Sequence, residues 1–366
     1  MKKILFLTIF MLVFTLPVSA EGLYGDFYEE SGADELYDLL PEAAERVIED
    51  FEIDIQNADW VNSLTPESVF SQIWDFVKTG AKTPLKCGGI MLSAMLLIAA
   101  ANTFEGFAPF STVASYVFTL GSVSAVLLPM FSLIESAAAA VKGIGVLMDG
   151  FVPVYAGILA LSGKAATASG MSFLLLFAVG IVGSLSSFVI VPLMSCYLGV
   201  AVASSVMPNG ATNRLGEGIK KAAVWILSLT LTLFLGLLSI QTTVNNAADN
   251  LGLKTAKFMI GSFIPVAGGA LSETLGTLIG SLGLLKSSVG MFAVVAIAAI
   301  VLPVVIELLI WRLILMALGI ASELLGVGIK TDILSAADSV LAVLIGVMLF
   351  VGALFIISLG IIAGGV

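Results

Sequence analysis

The sequence predicts an all-α polytopic membrane protein of about seven to nine membrane segments, broken or re-entrant helices among them, preceded by a small acidic helical exported segment. Three observations carry that expectation. Hydrophobic residues are 59% of the 366-residue chain and charged residues only 11%, far from the balance of a soluble globular domain. From Cys87 onward, apolar runs follow one another with little between them. The charge is also segregated: sixteen of the 26 acidic residues lie within residues 21–80, so the net charge of -10 belongs mostly to one short stretch.

At the N-terminus, Lys2 and Lys3 precede an apolar run over 4–16, and Pro17-Val18-Ser19-Ala20 closes it. This is the shape of a secretory signal peptide over residues 1–20, with cleavage after Ala20. The alternative is an uncleaved anchor helix, for which the run falls short of the ~20 residues a span needs. Either way, residues 21–80 are expected outside the cytoplasm, in agreement with their scarcity of Lys and Arg. Within them Leu36, Leu39, Leu40, Val47, Ile48, Phe51 and Ile55 recur at helical spacing between acidic residues, which predicts two short amphipathic helices. Thr65 before Pro66 reads as an N-cap followed by the first residue of the next helix. So short a segment buries little core alone and is expected to rest on the membrane domain or a partner, with its charges mainly a solvated face.

Residues 81–366 form the polytopic domain. The apolar runs place spans at 87–103, 112–134, 143–163, a long run over 167–207 that has to turn once, 222–243, a broken segment at 258–283, then 288–311, 313–327 and 339–363. Arg214, Lys220 and Lys221 put the 209–221 loop on the cytoplasmic side, as does Arg312 for its own loop, whereas Lys78, Lys82 and Lys86 stand against that rule on the outer side. The broken segment is the most informative. Pro265 lacks a backbone donor and the adjacent Gly268 and Gly269 make continued helix costly, so a straight span is not expected there. Non-helical backbone at membrane depth has to be satisfied by neighbouring protein or by a wet cavity, which makes Pro265, Gly268 and Gly269 candidate pathway or hinge residues.

An internal echo extends this reading. Phe151-Val152-Pro153-Val154 with Gly157 and Leu159 matches Phe263-Ile264-Pro265-Val266 with Gly269 and Leu271, and Leu233-Phe234 with Gly236 matches Leu349-Phe350 with Gly352 in the same order. Two repeats, 142–244 and 254–358, each with a Pro/Gly-broken segment near its start, would frame a midplane pathway, and Pro153 and Gly157 become the counterpart hinge; the alternative is a chance echo of an apolar alphabet.

Enzyme chemistry finds no foothold. Without histidine, His-based acid/base catalysis, Ser-His triads and His-ligated metal sites are excluded. Cys87 and Cys196 sit in apolar runs with no CxxC spacing and read as packing residues. No phosphate-binding GxxxxGK loop occurs, no cofactor is implied, and no basic patch exists to bind nucleic acid. The remaining candidates are a Glu307 to Arg312 ion pair near the end of a span, Glu273 and Lys286 flanking the broken segment, and the Gly276 and Gly280 GxxxG spacing, which permits close helix packing.

The stretch SIQTTVNNAADNLGLKTAKFMIGSFIPVAGGALSETLGTLIGSLGLLKSSVG, residues 239–290, resembles the most distinctive region of the stage III sporulation protein AE family. The resemblance is carried by Asp249, Lys257, Phe258, Ser262, Pro265, Val266, Gly268, Gly269, Ser272, Lys286 and Gly290, and by the overall layout of the chain. It implies a multi-pass protein of the mother-cell membrane around the forespore, a subunit of the channel or feeding apparatus joining the two cells. The partners it implies are a secretion-type ATPase, ring-forming proteins and a forespore-side partner; it brings no catalytic residues. The residues themselves equally allow an independent secondary transporter of a small solute, or a non-conducting scaffold for the channel.

Overall fold

In hydrocarbon a backbone can satisfy its own polar groups only as helix or closed barrel. The computed structural model of the chain describes residues 28, 31–55, 60, 65–102, 108–206, 210–263, 268–326 and 331–364, and among these every regular element is helical. A 3-10 turn, Ala33–Leu39, leads into α1, Glu42–Asp50. Then come α2, Pro66–Asn102; α3, Ala108–Leu161; α4, Ala165–Ser184; a π-helical stretch, Leu185–Ile190; and α5, Val191–Val206. The chain closes with α6, Gly210–Phe263; α7, Gly268–Leu324; and α8, Thr331–Gly364. The protein is an all-α polytopic membrane protein, as expected.

Several of its helices are longer than the apolar runs imply. Six are long and apolar enough to cross a bilayer among the described residues: Pro66–Ala100, Leu128–Leu161, Ala165–Val200, Arg214–Asp249, Ser288–Leu324 and Leu334–Leu359. The runs 112–134 and 143–163 fuse into α3, and 288–311 and 313–327 into α7, because the charges between them do not stop a helix that has neighbours to pack on. The expected turn within 167–207 is absent. Helical hydrogen bonding continues from Ala165 to Val206, and the π-helical stretch falls just before Pro192, where the proline removes one donor and its ring crowds the carbonyl four residues back. Where the sequence predicts amphipathic helices in the N-terminal segment, the described residues include the 3-10 turn and α1, each with a buried apolar side and exposed carboxylates, and Thr65 caps α2, its Oγ1 accepting from Ser68 N at 3.2 Å. The signal-like residues 1–20 lie outside the described residues.

Contacts fix the depth of each helix along the bundle. The N-terminal segment wedges between α3 and α7: Ser288 Oγ donates to the Ile55 carbonyl at 2.9 Å, the Tyr37 and Phe292 rings meet edge-on at 5.1 Å, and Leu39 and Pro41 fill notches at Gly150 and Gly143 of α3. At Gly143 a Cβ would fall 2.9 Å from the Pro41 ring. Ala33, Leu36, Ala44, Val47, Ile48, Ile53 and Ile55 are buried in this wedge, while Asp34, Glu35, Asp38, Glu42, Glu45, Glu49, Asp50, Glu52 and Asp54 stay exposed. Further down, α2 and α7 run parallel in close contact. A Cβ at Gly80 would lie 3.5 Å from Glu307 Cα, one at Gly88 only 2.6 Å from Ile314 Cγ2, and Pro84, Met91, Met95 and Ile98 continue the buried seam. α7 and α8 are antiparallel, with Gly352 against Val301 and Asp338 against Arg312.

Candidate functional site

Two polar seams tie the membrane helices together, one near each end. The first joins α4 to α6. Gln241, Asn245 and Asp249 are four residues apart on α6 and so share one face of that helix. Asp249, 7% exposed, accepts from the backbone N–H groups of Ala166 and Thr167, at 2.8 Å to Oδ1 and 2.9 Å to Oδ2. These are orphan donors of the first turn of α4, whose own N-cap, Lys164, supplies no side-chain cap. A carboxylate from another helix therefore does the capping, where the positive end of the helix dipole also favours it. One turn along, Gly170 lets α6 approach until a Cβ would overlap the Gln241 amide and fall 2.5 Å from Asn245 Nδ2. Gln241 Nε2 donates to Asn245 Oδ1 at 3.2 Å. Asn245 Nδ2 and Thr167 Oγ1 are buried with no hydrogen-bond partner among the described residues, so the seam holds polar capacity that the two helices leave unused.

The second seam joins α6, α7 and α8 at the opposite end. Arg312 meets Asp338 in a two-pronged contact, Nε to Oδ1 at 2.6 Å and Nη2 to Oδ2 at 3.3 Å, with both side chains partly exposed. Beside it Lys220 Nζ donates to Ser339 Oγ at 3.2 Å. Planar, forked recognition of this kind fixes orientation as well as distance.

This geometry corrects the expected Glu307 to Arg312 pair. Five residues along a helix is about 140° of rotation, so the two side chains leave α7 on different sides, and Arg312 faces α8 instead. Glu307 instead sits against Gly80 of α2, where a Cβ would lie 3.5 Å from its Cα. The expected break at Pro153 and Gly157 is also absent. Both lie inside continuous α3, where a lost hydrogen bond is tolerated by packing, and Gly157 has open space around its Cα. The two halves of the echo are therefore not shown to share a broken segment. Pro265 lies outside the described residues; Gly268 and Gly269 are the first residues of α7, after the end of α6 at Phe263. Gly276 and Gly280 lie on α7 in a stretch whose packing falls outside the described residues, as do the side chains of Glu273 and Lys286. Cys87 packs partly against the core, whereas Cys196 is exposed.

Sequence reasoning missed Asp338, Gln241 and Asn245, and reached Asp249 only through family resemblance. The available signal was the four-residue spacing of polar side chains at 241, 245 and 249 in an otherwise apolar helix. Asp338 had a signal as well, being an acid within the first turn or so of the last span.

Fold and seams together define a polytopic helical membrane protein whose long helices are locked by interhelical polar contacts. The family model of stage III sporulation protein AE matches residues 49–365, and the chain belongs to that family, which ties it to sporulation. It is 25% identical over 268 residues to the stage III sporulation protein AE of Bacillus subtilis (strain 168), an alignment covering 72% of this chain and 65% of that protein, just under two thirds of the relative's length. No solved structure matches the chain.

Proposed function

We propose that the protein is a membrane subunit of the channel or feeding apparatus that links mother cell and forespore, set in the mother-cell membrane and supporting forespore development and late gene expression. The observation that carries this reading is the family match over nearly the whole polytopic domain. What the helices contribute is consistent with a subunit rather than an enzyme: their polar groups are used to hold helices in register, as at Asp249 and Arg312. The partners in this reading are a secretion-type ATPase that supplies energy, ring-forming proteins and a forespore-side protein. An independent solute transporter draws its support from paired broken segments, and the continuity of α3 through Pro153 weakens that support. The test is co-purification from sporulating cells. A tagged chain should retain the ATPase and ring subunits, and its deletion should lower spore titre. Uptake of solute by the purified chain alone in liposomes, with no partner retained in cells, would overturn the proposal.

A further inference from the structure

The flank formed by residues 31–55 and the first half of α2 carries charge at a depth where the opposite flank carries none, its exposed side chains being apolar apart from the hydroxyls of Thr232 and Ser239. Depth is read from contacts. On one side, Val294, Val295, Ala298, Ala299 and Leu302 of α7 line an apolar cleft of about 170 Å³ with Val47 and Phe51 of the N-terminal segment and Val69 and Ile73 of α2. Around that cleft Glu45, Glu49, Asp50, Glu52 and Glu67 are exposed, and Asp75, Lys78, Lys82 and Lys86 continue down α2 between the levels of Leu302 and Ile314. On the other side, Val301 touches Gly352 of α8, and Leu354, half a turn on, shares a second apolar cleft of about 200 Å³ with Phe177 of α4 and Leu233 and Leu237 of α6. Phe177, Leu233 and Leu237 are between 50% and 59% exposed, and Phe173 72%. Both clefts therefore lie at the level of α7 residues 294–302.

One planar bilayer cannot suit both flanks at that level. Exposed Phe173, Leu233 and Leu237 fit lipid, whereas the exposed carboxylates at this level, Glu45, Glu49, Asp50, Glu52, Glu67 and Asp75, are strongly disfavoured in hydrocarbon, where such groups are found facing bundle interiors or wet cavities. The exposed apolar side chains on the charged flank, Val69, Phe70, Trp74 and Leu85 of α2, stand among those charges. Nor does burial remove the charges, because the apolar side of the segment is already spent on α3 and α7. We propose that this flank faces a water-filled space at membrane depth while the α4 and α6 flank faces lipid. The proposal deepens the conduit reading by naming the wall on the aqueous side, but it rests on the register of the helices and not on the sporulation assignment.

Thiol labelling in membranes of sporulating cells tests it, on a chain with Cys87 and Cys196 replaced by serine. Single cysteines are placed by Glu49→Cys and Asp75→Cys on the charged flank and by Phe177→Cys and Leu233→Cys on the apolar one. A charged maleimide needs a hydrated thiolate, so the first pair should react about tenfold or more faster than the second. Equal, fast labelling of all four would mean that this level stands above the bilayer, and no labelling of Glu49→Cys and Asp75→Cys would mean that lipid or protein seals the flank. Either result overturns the proposal. Glu52→Cys and Leu237→Cys provide a second pair should a first variant fail to accumulate. Co-purification of partners is scored separately, so loss of the conduit reading and loss of this orientation give different patterns.

Discussion

Removing the Asp249 carboxylate should loosen the α4 to α6 contact by an amount that the geometry bounds. Asp249→Ala strands two N–H donors, those of Ala166 and Thr167, which Oδ1 and Oδ2 now accept at 2.8 and 2.9 Å. A buried unsatisfied donor costs about 1–3 kcal/mol, so the pair costs about 2–6 kcal/mol. Loss of the charge at the helix N-terminus adds about 0.3–1 kcal/mol. Against this, polar contacts between membrane helices average only about 0.6 kcal/mol in mutant cycles, because the unfolded chain in the membrane finds other partners. The expected loss for Asp249→Ala is therefore brought down to the bottom of that range and below it, about 1–3 kcal/mol. Asp249→Asn keeps one carbonyl acceptor for one of the two donors and should lose roughly half as much. Unfolding of the purified full chain in mixed micelles, followed by circular dichroism against denaturant, measures both. An alanine variant within about 0.5 kcal/mol of wild type would refute the cap, since that is the range of an inconsequential surface change. An asparagine variant less stable than the alanine one would refute the proposed division between hydrogen bonds and charge.

Further expectations follow the same seams. Gly170→Ala should cost about 1–3 kcal/mol by overpacking against Asn245 and Gln241, while Gly157→Ala, with open space around it, should be neutral or gain up to about 1 kcal/mol in helix propensity; paired unfolding curves separate them, and equal effects would deny the close approach. A double-mutant cycle on Arg312→Ala and Asp338→Ala should give a coupling of about 1 kcal/mol, discounted for the pair's partial exposure, and zero coupling would make the contact incidental. With residues 31–55 and Lys220 at opposite ends of the bundle, a cysteine at Asn213 should resist impermeant reagent in intact cells, whereas one at Asp34 should react; labelling at Asn213 would reverse the topology. Gly268→Leu combined with Gly269→Leu, at the start of α7, should lower spore titre with protein abundance near normal, and wild-type titre from a stably made variant would remove this point from the mechanism.

The class of fold was legible because apolarity and scarcity of charge are properties of the whole chain. Segment number was less so, and Arg312 shows why. As a charge between two apolar runs it reads as the end of a span, yet a guanidinium stays inside one helix when a carboxylate meets it from the next, and Asp338 lies 26 residues away across a turn. The prolines misled in the same way. Pro153 reads as a break because it costs a hydrogen bond locally, but α7, α4 and the N-terminal wedge pack on α3 and hold its helix together. Polar contacts between helices are decided by rotation and depth, which a linear pattern carries only faintly. The exception is the 241, 245 and 249 ladder, whose period was readable and whose partner, the bare N-terminus of α4, was not. Thr65 and Pro66 were read correctly because a cap depends on its neighbours within one turn.

The wedge also orders events in time. Ile55 meets Ser288, 233 residues later in the chain. At a synthesis rate of about 5–20 residues per second, α7 follows its partner segment by roughly 12 to 47 s. For that interval Leu36, Val47, Ile48 and Ile55 have no α7 to cover them, and their own segment is too small to bury them alone. A chain ending anywhere before residue 302 never completes the wedge, so a nonsense mutation late in the gene would first uncover the part of the protein made earliest.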